Sequence, residues 1–79
     1  MGAVDDFTAK FHEQYFDAET FDMNSETEFR QINSWDSLTG MAVLVMIKDD
    51  YGVDIPAETF KGMKTVNEVF DYVNAAKNG

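Results

Sequence analysis

An apolar run with two faces occupies the middle of the chain. From Leu38 to Tyr51 the residues are Leu-Thr-Gly-Met-Ala-Val-Leu-Val-Met-Ile-Lys-Asp-Asp-Tyr, followed by Gly52 as a natural helix stop. At the helical advance of about 100° per residue, Gly40, Val43, Leu44, Ile47 and Tyr51 share one side, while Leu38, Met41 and Val45 gather on a roughly opposite side. Only one of these stripes can face the core of a small bundle. The first is broader and the second is edged by Lys48 and Asp49, so the first is expected inside. The second is then an exposed apolar strip, and three such residues in line make a docking surface plausible.

The strip begins beside a polar break, Ser34-Trp35-Asp36-Ser37. Asp36 suits a helix N-cap, because its carboxylate can accept from the first free backbone N–H groups, and Ser37 then falls on the opening turn. There the hydroxyl is exposed and sits in the positive end-field of the helix, a setting that favours a phosphate ester. On its own, an Asp-Ser pair is far better explained as a cap alone.

Size and charge narrow the function classes. A chain of 79 residues suggests one domain, 1–79, whose core withdraws roughly 60% of the unfolded surface from water, too little for a large catalytic cleft. Without cysteine there is neither a disulfide framework nor a thiolate metal site, and no metal is expected. Fifteen acidic against six basic residues give a net charge of -9, which repels nucleic acid and anionic membranes and favours basic partners. The N-terminal residues lack a basic segment followed by an apolar core, and no run approaches a membrane span. A cytoplasmic protein is expected, and nothing in the sequence requires more than a monomer.

Along the chain, Val4, Phe7, Phe11 and Tyr15 describe an amphipathic helix from about Val4 to Asp17. His12, at the edge of that stripe, has no second His or Cys to share a metal and is expected on the surface. From Ala18 to Asp36 no period persists, yet Phe21, Met23, Phe29, Ile32 and Trp35 punctuate the segment, so this long loop should fold down over the bundle. Val53-Asp54-Ile55 is a short extended link. Pro56 fits the first position of a short helix over about Ala57 to Lys61, with Phe60 inward and Gly62 as its end. Thr65-Val66-Asn67-Glu68 has the form of a capping box, and Val66, Val69, Phe70 and Val73 form the inner stripe of a last helix ending near Lys77. The expected fold is all-α: a small four-helix bundle of three longer helices and one short one, with a long loop between the first and second.

Asp36-Ser37-Leu38, the long apolar helix, the Asp54-Ile55-Pro56 link, and Lys64-Thr65-Val66 opening a helix that contains Asp71-Tyr72-Val73 together resemble the acyl carrier protein family, in order and across essentially the whole chain. The resemblance implies a non-catalytic carrier. In that family the serine of Asp-Ser-Leu holds 4'-phosphopantetheine through a phosphodiester, with cargo as a thioester at the far end. Carried onto this chain, Ser37 is the attachment residue and the substrate of a phosphopantetheinyl transferase, with Asp36 expected in recognition by that enzyme. Leu38, Met41 and Val45, helped by Asp36, Asp54 and Glu58, match positions that meet acyl-transferring and acyl-modifying enzymes with basic docking surfaces. Val43 and Ile47 match core-lining positions where cargo is sheltered, and Phe29 matches an apolar anchor in the long loop.

The chain also departs from the family. Fatty-acid carriers usually have Asp-Leu-Gly-x before Asp-Ser-Leu, where this chain has Ile32-Asn33-Ser34-Trp35, and they favour acids along the central helix where it has Thr39, Ala42 and Lys48. The Trp-Asp-Ser-Leu version is similar to carriers of specialised acyl or secondary-metabolite pathways, with fatty-acid synthesis the other reading. An aminoacyl, D-alanyl or peptidyl carrier is the alternative within the class. A small acidic helical module that binds a basic or amphipathic helix is the alternative outside it.

Overall fold

Phe7, Phe11, Val43, Ile47, Val66, Val69 and Val73 are all but sealed from solvent, and they bring the inner stripes of three helices together. In the computed structural model, which describes residues 2–78, these are α1 (Ala3–His12), α2 (Ser37–Tyr51) and α4 (Val66–Asn78), with the short α3 (Ala57–Lys61) before the last. Helices α1, α2 and α4 pack pairwise. Among the described residues there is no β-strand, only an isolated antiparallel bridge between Glu28 and Thr65. The expected all-α four-helix bundle is what the chain forms.

Helix α1 is shorter than its periodicity predicts, stopping at His12 instead of near Asp17. Beyond it the chain tightens, with Gln14 N donating to the Phe11 carbonyl at 3.1 Å and Tyr15 N to that of His12 at 3.2 Å, spacings of a tighter helical turn. Tyr15 still faces the core, where its hydroxyl donates to the Phe29 carbonyl at 2.7 Å. His12 is not the surface residue expected. It is half-buried, its Nε2–H donates to the Ala18 carbonyl at 2.7 Å, and its ring centroid lies 4.8 Å from that of Phe21.

The long loop does fold over the bundle, through two 3₁₀ turns at Ala18–Thr20 and Phe29–Gln31. Phe29 is fully buried, and Phe21, Met23, Ile32 and Trp35 pack against the core around it. What fastens the loop is the start of α4. The first amides of a helix have no partner within it; here Val66 N donates to the Thr27 carbonyl at 3.2 Å and Asn67 N to that of Ser25 at 2.8 Å. The capping box supplies the rest: Glu68 N donates to Thr65 Oγ1 at 3.2 Å and Thr65 N to Glu68 Oε2 at 3.1 Å. Phe29 N donates to the Lys64 carbonyl at 3.2 Å on the same seam. At the other end of α2, Gly52 adopts φ 70° and its N–H returns to the Lys48 carbonyl at 2.9 Å. Pro56 stands just before α3 instead of opening it, and Phe60 points inward as expected.

Candidate functional site

The start of α2 is fixed by one side chain. Asp36 is extended, and its Oδ1 accepts from Thr39 N at 2.8 Å and from the Thr39 hydroxyl at 2.9 Å. Those bonds favour the ionised carboxylate and hold its pKa below the ordinary 3.8. Asp36 is therefore both a cap and a fixed negative charge. Ser37 follows as the first residue of α2, with its side chain exposed.

From Ser37 an apolar strip runs along α2. Leu38 is 75% exposed, Met41 63% and Val45 57%, high values for large apolar side chains on one helix. Val43, Met46 and Ile47 face the interior, so α2 is apolar on both sides. The periodicity gave Met46 no assignment, yet it joins the core. Of the acids expected at the docking margin, two are held by lysines. Lys48 Nζ reaches both carboxylate oxygens of Asp54, at 3.1 and 3.0 Å, and Lys61 Nζ lies 3.7 Å from Glu58. Asp50 has Lys10 at 3.7 Å.

On its other flank Ser37 borders an open groove of about 390 Å³ between α2 and α3, lined largely by Trp35, Gly40, Met41, Leu44, Ala57 and Phe60. Beneath it the aromatic rings are continuous: Trp35 lies 5.0 Å from Phe29, and Phe29 stacks on Phe60 at 5.6 Å. Gly40 lets the indole approach, since a Cβ there would stand 3.2 Å from Trp35 Cζ2. Val43, Ile47 and Phe29, expected to line a shelter for cargo, are all fully buried, Phe29 as a member of this layer.

Arg30 is the groove residue that the sequence reading missed. Its Nε donates to the Met63 carbonyl at 3.0 Å, and Nη2 donates to that of Phe60. The guanidinium also lies 4.9 to 5.5 Å from the ring centroids of Phe60, Phe29 and Trp35. A cation placed between aromatic residues in a loop was the available signal.

Residues 15–73 match the family described as the phosphopantetheine attachment site. The chain is 32% identical over 59 residues to an acyl carrier protein of Micrococcus luteus, covering 75% of this chain and 73% of the relative. To an acyl carrier protein of Myxococcus xanthus it is 33% identical over 58 residues, 73% of each. The chain belongs to the acyl carrier protein family. No solved structure matches it.

Acyl carrier proteins are carriers without catalysis of their own, and the prosthetic group they bear is covalent 4'-phosphopantetheine. When bound, this group supplies a thiol that holds cargo as a thioester. The carrier described here offers what the group requires: an exposed hydroxyl at a helix N-terminus, beside a groove of small-molecule size. Among its described residues no three His, Asp or Glu side chains converge as a metal site, and no helix is long and apolar enough to cross a membrane.

Proposed function

We propose that this chain, a single domain over 1–79, carries acyl groups on a phosphopantetheine arm attached to Ser37. The observation behind this reading is the exposed Ser37 hydroxyl opening α2 inside the matched family region. Asp36, held ionised by Thr39, gives the modifying transferase a fixed charge to recognise beside its target. The chain has no histidine free to act as a base at Ser37. Its only histidine is bonded to the Ala18 carbonyl and packed on Phe21. Deprotonation of the hydroxyl then falls to the transferase.

Leu38, Met41 and Val45 form the apolar part of the docking face, with Asp36, Asp54 and Glu58 as its charged margin. Basic enzyme surfaces that hand over or modify acyl groups are its partners. Charge at the rim sets partner choice and association rate more than affinity, and the flexible arm raises the effective concentration of cargo at each docked enzyme. Acyl cargo is favoured over aminoacyl or peptidyl cargo by the names of the relatives. The Trp35-Asp36-Ser37-Leu38 sequence favours a specialised acyl pathway over central fatty-acid synthesis. This reading has the carrier act in the cytoplasm as a monomer, the first supported by the need for coenzyme A as donor of the arm.

The test is intact mass before and after incubation with coenzyme A and a broad-specificity phosphopantetheinyl transferase, with Ser37→Ala in parallel. A gain of one phosphopantetheine unit that disappears in the variant is expected. A folded chain that gains nothing with several transferases overturns the proposal in favour of a helical binding module.

A further inference from the structure

Arg30 is out of keeping with its surroundings. In a protein of net charge -9, this half-buried guanidinium has no carboxylate within 4.0 Å among the described residues. It lies instead in a groove of mostly apolar lining, bonded only to the Phe60 and Met63 carbonyls and set against three aromatic rings. These contacts leave the Nη1 side of the fork without a hydrogen-bond partner among the described residues. Lys61, paired with Glu58 at 3.7 Å, and the carboxylate of Asp36 line the same groove, so Arg30 is its one basic group without a carboxylate partner among the described residues. The groove opens at Ser37, where the phosphopantetheine arm would begin.

Resting on the carrier reading above, we propose that this groove selects cargo: a short acyl group with a carboxylate at its far end, its methylene part on Trp35 and Phe60 and its carboxylate on Arg30. Two features make this the fitting occupant. The aromatic layer of Trp35, Phe29 and Phe60 fills the way inward, which favours a short group held at the surface over a long chain threaded into the core. The free side of the guanidinium matches a planar carboxylate, to which arginine donates in a forked geometry. A purely hydrocarbon cargo would leave that cation unpaired beneath it, at a cost in desolvation.

The test loads Ser37 with succinyl-phosphopantetheine or butyryl-phosphopantetheine, using the corresponding coenzyme A thioesters and one transferase. Thermal unfolding and tryptophan emission are then compared. Trp35 is the only tryptophan, so tryptophan emission arises from a residue that lines this groove. The succinyl form is expected to melt about 2–5 °C above the butyryl form at low salt, with an accompanying emission shift. The gap should narrow near 1 M salt, where the Debye length is about 3 Å, and vanish in Arg30→Gln. Arg30→Lys, which keeps the charge, retains part of it. Because the gap is measured within each variant, any stability lost with the bonds to Phe60 and Met63 cancels.

Equal midpoints in the unsubstituted protein, or a gap that survives in Arg30→Gln, would overturn the proposal. So would an emission change on attaching the arm alone that Arg30→Gln abolishes without any succinyl preference, which assigns the cation to the phosphodiester. Failure to gain mass at all removes the carrier reading, and this inference with it.

Discussion

Asp36 carries two separable properties, an acceptor for Thr39 and a negative charge. Its folded pKa lies below the unfolded value near 3.8, so its stabilisation is present above that value and is lost as pH falls through the folded pKa. Asp36→Asn keeps an acceptor for the Thr39 amide and hydroxyl but cannot titrate. Its melting temperature is expected to fall less steeply than that of the unsubstituted protein between about pH 5 and pH 1, which thermal scans across that range would show. Asp36→Ala removes both properties, and is expected to slow modification of Ser37 by the transferase while leaving the helical circular-dichroism signal nearly intact. Unchanged modification kinetics would dismiss the recognition role. The cap was legible in the sequence because acceptor and donor stand three residues apart, within the reach of a local pattern.

At the level of elements, legibility falls with the sequence distance over which each element is held. The capping box of α4 and the glycine end of α2 close within a turn, and both were expected. The early end of α1 was not, because Tyr15 satisfies the apolar stripe whether it sits on a helix or on a tight turn, and its deciding bond goes to a carbonyl 14 residues away. Arg30 bonds to carbonyls 30 and 33 residues away, beyond any periodicity. The Tyr15 bond gives a test of how α1 is tied to the loop. Tyr15→Phe leaves the buried Phe29 carbonyl without that donor and should cost about 1–3 kcal/mol in denaturant unfolding. Burial also pushes the phenol well above its ordinary 10.0. The stability linked to this group is therefore complete below pH 10 and is lost above it, where the unfolded chain ionises first. Tyr15→Phe should flatten the alkaline side of the stability profile. For the C-terminal end of α2, Gly52→Ala forces a side chain into φ 70° and should cost about 1 kcal/mol, read as a lower denaturation midpoint at unchanged slope.

Across the whole molecule the charge balance governs how partners approach. A net charge of -9 draws basic surfaces from a distance, but Lys48 on α2 holds Asp54 at 3.0 Å and thereby neutralises one of the acids assigned to the docking margin. Both side chains are well exposed, 62% and 77%, so the pair contributes little to folding and its loss should leave the melting temperature nearly unchanged. Its effect belongs to association. Lys48→Ala frees Asp54 and makes the protein one unit more negative, and modification of Ser37 by a transferase with a basic docking face should then quicken about 2- to 5-fold at low salt, as steering strengthens. The advantage should shrink as salt rises and the Debye length falls to about 3 Å near 1 M. An increase that persists at high salt would instead point to a contact blocked by the Lys48 side chain. A rate that does not change at any salt would move the charged margin of the docking face away from Asp54, towards Asp36 at the start of α2 and Glu58 on α3.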